Sequence, residues 1–457
     1  MSLEPLEKGE KKKLGSPLLS LIALLLFLVL LGAGFFKLYE REQPQIVLLT
    51  EVLRIGLSKE ISLAAMDDRS GIRSIEVSIV QDDREAPLEK KVFERQGYLG
   101  RAGERKVEVT FTVNSRSLGL RDGVAELIVT ARDFSWWNWM TGNVTVARFP
   151  VSLDTVPPKV AVLESPRYIK AGSAGVVMYK LSEPVVEHGV IINNDYHPGF
   201  PLPRHGQDVY GATIGLSYDL EQIEKSFVRA VDPAGNAGIA TFSMILRRSL
   251  VKKDRINVTD GFLSAKLPEF LMYYPDLSGE AIEKYLKINN EIRDQNYLQV
   301  RQVCAKSQPE RLWEGKFKRL PRSSNRAGFA DFRTYYYNDE KIDQQVHLGI
   351  DLASVRQAEV EAANRGVVVF ADYLGIYGNT VILDHGQGIF SLYSHMSLIK
   401  VALNDLVTKG AVLGHTGATG MAGGDHLHFS MLVNGIFVNP VEWWDEQWLK
   451  INILNVL

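Results

Sequence analysis

The pattern of apolar and polar positions changes several times along the chain. From Leu18 to Phe36 the run LLSLIALLLFLVLLGAGFF is uncharged and has no polar period; Pro17 and Lys37 bound it. About 17–25 such residues cover the hydrocarbon core of a bilayer as a helix, so a transmembrane helix is expected over residues 17–37. Beyond it the period drops to two. IRSIEVSIV (Ile72 to Val80) and KVEVTFTV (Lys106 to Val113) alternate apolar with polar residues, and AELIVTARD (Ala125 to Asp133) is a third short β-branched run. Turn signals such as DDRSG (Asp67 to Gly71) and LRDG (Leu120 to Gly123) lie between them. A second β stretch includes VVMYKL (Val176 to Leu181) and FVRAVDPAGNAGIATFSMIL (Phe227 to Leu246). From Gly279 to Lys306 the spacing becomes helical, with Ile282, Tyr285, Leu286, Ile292, Leu298 and Val300 recurring between charges and Ser278 placed as N-cap.

The punctuation sets domain boundaries. DTVPPK (Asp154 to Lys159) puts two prolines where neither a helix nor a central strand can continue. The expected organisation is a cytoplasmic tail (1–16), the transmembrane helix (17–37), two β-sandwich domains (45–155 and 156–248), a helical connector (249–330) and a C-terminal domain (331–450). The fold class is therefore mainly β and multidomain. Asp232-Pro233-Ala234-Gly235-Asn236 reads as a hairpin turn, and Ala131 to Phe149 holds the equivalent place in the first unit. This repeat resembles bacterial immunoglobulin-like domains, in which a D-x-x-G-N hairpin closes a sandwich. Trp136, Trp137 and Trp139 share one loop, read as a hydrophobic plug between domains.

Charge adds a topology. Lys8, Lys11, Lys12 and Lys13 precede the apolar run, whereas Lys37 and Arg41 after it are interleaved with Glu40 and Glu42. The positive-inside bias favours a cytoplasmic N-terminus and a single pass through the inner membrane, with the bulk of the chain periplasmic. A cleaved signal peptide, the rival reading, has a shorter apolar core of about 7–15 residues. A net charge of −2 gives no case for nucleic-acid binding. The lone cysteine, Cys304, permits no intramolecular disulfide and reads as a buried small apolar residue.

Six of the nine histidines fall at 347, 385, 395, 415, 426 and 428. HLGID (His347 to Asp351) puts a histidine and a carboxylate four apart, a spacing that shares a face in strand or helix. HLHFS (His426 to Ser430) puts two histidines at i and i+2, which share a face only if the segment is extended. Asn434-Gly435 just beyond is a hairpin signal that supports strands there. YSHM adds His395 near the end of a β-like run. A hydrolytic zinc site needs three nitrogen or oxygen ligands, one open position, a base and a group for the oxyanion. Two ligand histidines, a carboxylate and two spare histidines meet that need. His385 and His415 read as turn residues, and the glycines from 417 to 424 lack the GK[ST] of a nucleotide loop.

Together HLGIDLA, YSHM and GATGMAGGDHLHFS resemble the lysostaphin/LytM-type zinc peptidases, which cut peptides in peptidoglycan, over about Arg333 to Trp448. The resemblance implies an antiparallel-β peptidase domain with an open groove. It implies Zn2+ ligated by His347, Asp351 and His428, with His395 and His426 assisting catalysis. Many members carry an acidic residue where this chain has Ser430, and a leucine where it has Met396. Neither position is a ligand, so the departures bear on substrate preference. The expected function is hydrolysis of peptidoglycan stem or cross-bridge peptides, with the sandwiches as spacers or docking sites for protein partners. The alternative is a non-catalytic regulator that activates other wall hydrolases; a third is an adhesin-like role for the sandwiches. The connector, placed just before the catalytic domain, is expected to gate its groove.

Overall fold

The computed structural model describes residues 17–51, 54–97, 102–248 and 252–457. Pro17–Leu38 is a helix, and its side chains are described from 20 to 33, every one exposed. Among the described residues no helix is long and apolar enough to cross a membrane, so they do not support the spanning helix expected at 17–37. The tail expected at 1–16 lies outside the described residues. Packing divides the chain into two compact units: Met1–Val156 with Pro233–Asn236, and Pro157–Asp232 with Ala237–Leu457.

In the first unit the period-two runs become sheet faces. Lys106–Asn114 alternates exposed and buried positions without a break. Ile72–Gln81 is central in a five-stranded sheet, between Arg84–Val92 and Gly123–Asp133. A three-stranded sheet, Gln45–Leu48, Ser58–Met66 and Lys106–Asn114, supplies the other half of the core. Ile61, Leu63 and Val109 from it meet Ile75, Val77, Leu127 and Val129. Each such buried aliphatic side chain contributes about 1.5–3 kcal/mol. The tryptophan loop departs from expectation: Trp137 packs edge-on to Tyr39 at 5.0 Å, but Trp139 is 96% exposed and plugs no interface.

The second unit is built in continuous layers. Ala174–Leu181 lies in a four-stranded sheet and is buried on both faces from Ala174 to Val177, whereas toward its end Lys180 is exposed between buried Tyr179 and Leu181. Val177 and Tyr179 pack with Ile214 of the same sheet and with Val190 and Val228 of a neighbouring sheet. On the opposite face, Ala174 and Val176 join Ile350, Val381, Phe429 and Met431 in one core. Those last residues belong to an eight-stranded sheet. Its inner strands run Ile350–Ala353, Leu427–Val433, Ile389–Ser394, Asn379–Asp384 and Gly366–Tyr373, each pair antiparallel. Asn434 (φ 50°) and Gly435 (φ 80°) turn the chain back into Ile436–Val438, the two positive φ values that a tight hairpin requires.

The connector is more than a helix. Lys253–Asn257 pairs in parallel with Asp331–Tyr337, and helices Asp260–Tyr273, Ala281–Lys287 and Arg293–Val303 follow it, the last two joined by a π turn at Ile288–Ile292. The expected cap at Ser278 is wrong. Gly279 has φ 106°, outside any helix approach, and Glu280 forms a capping box with Glu283 instead.

Candidate metal centre

Strand register assembles the site. Asp351 lies directly opposite His428 across the pair Ile350–Ala353 and Leu427–Val433, and Ser394 flanks His428 on its other side. His347 ends the strand Glu340–His347. All three residues are buried. His347 Nε2 is 2.9 Å from Asp351 Oδ1 and 2.9 Å from His428 Nδ1, and His428 Nδ1 is 3.0 Å from Asp351 Oδ1. The three atoms form a nearly equilateral triangle.

The outer hydrogen bonds decide what those atoms are. His347 Nδ1 lies 2.8 Å from the Gly328 carbonyl, which can only accept, so the neutral ring carries its proton there and presents a lone pair at Nε2. Ser430 Oγ donates its single proton to Leu348 O at 2.8 Å. It must therefore accept from His428 Nε2, 3.0 Å away, which leaves a lone pair at His428 Nδ1. Asp351 Oδ1 is a carboxylate oxygen. Three acceptors thus face one another with no proton among the neutral forms, the donor set a divalent cation satisfies. Two imidazoles and a carboxylate suit zinc, with one position left open. Arg333 holds the other carboxylate oxygen, Asp351 Oδ2, at 2.9 Å. Burial would raise the Asp351 carboxyl, but the His347, His426 and His428 rings outweigh it and hold it well below the usual range.

Two more imidazoles border this triangle. His426 Nε2 is 3.4 Å from Asp351 Oδ1, so both histidines of H-x-H do face one centre, as an extended segment requires. The His395 ring lies 4.9 Å from that of His426 and 5.8 Å from that of His428. Each is fixed by a carbonyl: His395 Nδ1 donates to Thr419 O and His426 Nδ1 to Gly424 O, both at 2.8 Å. Both therefore offer a basic Nε2. His395 has φ 63°, a left-handed backbone that a non-glycine residue adopts rarely and at a cost of about 1–2 kcal/mol. Bonds from His395 N to Tyr377 O and from Met396 N to Asn379 O hold it there. The rings differ in basicity. Burial, with His426 and His428 beside it, drives His395 well below an ordinary imidazole. Burial also opposes the charge on His426, but Asp351 overcomes it and the balance is upward.

A cavity of about 400 Å³ opens over these groups. One wall is the connector, through Phe262, Tyr285, Asn289 and Arg293; Arg326, Tyr377 and Met421 line other parts. Several functional contributors are silent in the sequence. Gly349 is required by close approach, since a Cβ there would stand 2.5 Å from His428 Nε2. Ser430 carried a readable signal, for it lies at i+2 from His428 and must share its face. Arg333, Gly328 and Thr419 carried none. His385 opens the hairpin turn between Asn379–Asp384 and Ile389–Ser394, as expected, and is fully buried there: its Nδ1 is 2.7 Å from Arg365 O and its Nε2 2.7 Å from Ser391 Oγ, away from the centre. His415 ends the strand Val412–His415, opposite Glu359 and Leu398.

Residues 345–440 match peptidase family M23, so the C-terminal part of the chain carries an M23 peptidase domain. Over 97 residues, 21% of the chain, the sequence is 40% identical to the DD-carboxypeptidase/endopeptidase Mpg of Neisseria meningitidis serogroup B. It is 34% identical over 96 residues, again 21% of the chain, to the peptidoglycan DD-endopeptidase ShyC of Vibrio cholerae. It is also 33% identical over 95 residues, likewise 21% of the chain, to the murein hydrolase activator EnvC of Escherichia coli. The chain spans about a fifth of the length of these curated relatives: 22%, 22% and 23%.

Proposed function

We propose that this protein is a zinc-dependent endopeptidase that hydrolyses peptide bonds in peptidoglycan. The observation that carries the reading is the convergence of three lone-pair atoms, His347 Nε2, Asp351 Oδ1 and His428 Nδ1, with two further basic nitrogens beside them. Zinc held there supplies a Lewis acid that polarises a carbonyl and makes water acidic near neutral pH. The chain's own groups supply the rest. His395 Nε2 or His426 Nε2 takes the proton of the attacking water, and the other donates to the developing oxyanion or the leaving amine. Thr419 O and Gly424 O keep Nδ1 protonated on both rings, so Nε2 accepts a proton from the neutral ring and donates one from the doubly protonated ring. The connector forms one wall of the cavity in which a substrate would lie. Peptidoglycan as substrate rests on the name borne by the relative with 34% identity.

The apolar run Leu18 to Phe36, with lysines before it and mixed charge after it, supports an inner-membrane anchor and a periplasmic bulk. The two β-sandwich domains then act as spacers toward the wall. A second reading, a non-catalytic activator of wall hydrolases, draws on the 33% identical activator. The five polar groups, all present and oriented, favour catalysis. Zinc content and muropeptide release by the purified full chain decide the matter. One zinc per chain with cleavage of crosslinked muropeptides is the expected result; no zinc and no cleavage overturns the enzyme.

A further inference from the structure

Away from the metal centre, the first unit buries three acids together. Glu40, Asp67 and Asp133 are 3%, 6% and 0% exposed, and one oxygen from each lies within 4.8 Å of the others. Burying a carboxylate costs several kcal/mol unless its charge is met. Little meets it here. Among the described residues the cation paired with the cluster is Arg69, whose Nε is 3.8 Å from Glu40 Oε2, and that side chain is 54% exposed and also bonded to Glu42 at 3.2 Å.

Hydrogen bonds account for part of the cluster. Asp67 Oδ1 accepts from the backbone of Arg69 and Gly71, and Asp133 Oδ1 from Ser135 and Asn143. Asp133 Oδ2 accepts from Asn143 Nδ2, and Glu40 Oε1 from the Ser70 amide. Two buried atoms remain without a hydrogen bond: Glu40 Oε2 and the neighbouring Ser70 hydroxyl. An orphaned carboxylate oxygen among two other buried carboxylates is a site short of positive charge.

We infer that Glu40, Asp67 and Asp133 form a second metal site in this chain, one that takes Ca2+. The donors are oxygens alone, without the imidazole or thiolate that selects zinc, and Ca2+ accepts the irregular oxygen shells that Mg2+ rejects. The site has a structural task. Glu40 follows the helix Pro17–Leu38 by two residues, while Asp67 directly follows the strand Ser58–Met66 and Asp133 ends the strand Gly123–Asp133. The ion therefore fastens the segment leaving the helix to the first unit. Ser135 Oγ and Asn143 Nδ2, both donating to the Glu40 carbonyl, already hold that segment in place.

The test uses the full zinc-loaded chain in detergent, titrated with Ca2+ and, as its luminescent substitute, Tb3+. One Ca2+ per chain should bind in addition to zinc, with Mg2+ competing weakly, and Glu40→Gln should weaken Ca2+ binding at least tenfold. In the unaltered chain, Ca2+ should slow amide exchange at 67–71 and 133–143. No uptake at millimolar Ca2+ overturns the inference. So does uptake that Glu40→Gln leaves unchanged, or uptake that protects other segments instead. The exchange measurement needs no substitution, so it stands even if the variant folds poorly.

Discussion

Ser430 determines which nitrogen of His428 faces the centre. Because its hydroxyl proton is spent on Leu348 O, it accepts from His428 Nε2 at 3.0 Å and turns the Nδ1 lone pair inward. Ser430→Ala should therefore weaken zinc binding about 10–100-fold, the usual effect of losing such a support, without unfolding the chain. Chelator competition on the purified protein measures this. Unchanged affinity would mean that His428 is oriented by packing alone.

His395→Ala and His426→Ala should each keep one zinc per chain yet slow cleavage of muropeptides by about 10²–10⁴. His347→Ala and Asp351→Asn should instead lose the metal. Metal analysis alongside initial rates separates the two classes. If His395→Ala lost zinc as His347→Ala does, the division between holding and proton transfer would fail.

Gly349→Ala places a methyl 2.5 Å from His428 Cε1 and Nε2 and 2.6 Å from Ser430 Oγ. No flexible side chain gives way there, since both groups are pinned by the bonds above. The expected result is a chain destabilised by about 1–3 kcal/mol with markedly reduced zinc content. Wild-type zinc stoichiometry and thermal midpoint in this variant would contradict the geometry.

Acid should loosen the second unit before it affects the first. Burial depresses His385 to about 4 and, with Arg301 nearby, His197 to about 3, against an ordinary 6.5. A folded-state pKa below the unfolded one gives stability that is full above pH about 6.5 and is lost as pH falls toward the folded value. Each pH step of one below 6.5 removes roughly 1.4 kcal/mol per ring, so by pH 5 each ring has cost the fold about 2 kcal/mol. Urea unfolding at pH 7 and pH 5 should show it, and His385→Gln should remove one ring's share of the loss.

How much of this was readable beforehand varies with the physics involved. H-x-H spoke clearly because a period of two leaves one way for both rings to meet a centre, and HLGID because the end of one strand and the start of the next, two residues apart, bring His347 and Asp351 together. The capping of the helix at 281 misled, because Ser278 is a good cap in isolation while the left-handed Gly279 after it settles the geometry. Trp139 misled in the opposite way: three neighbouring tryptophans suggest burial, but the loop points the last one at solvent. Arg333 and Thr419 act through distances set by tertiary folding, and nothing local in the chain announces them.

The core in which Val176 packs with Phe429 and Met431 has an evolutionary consequence. Recombination that exchanged the metal-bearing strands alone would cut through a common interior and leave two unmatched apolar faces. The smallest heritable piece that keeps this interior whole begins at Pro157, so the strands from Val160 onward and the peptidase strands should be inherited, lost or diverge together.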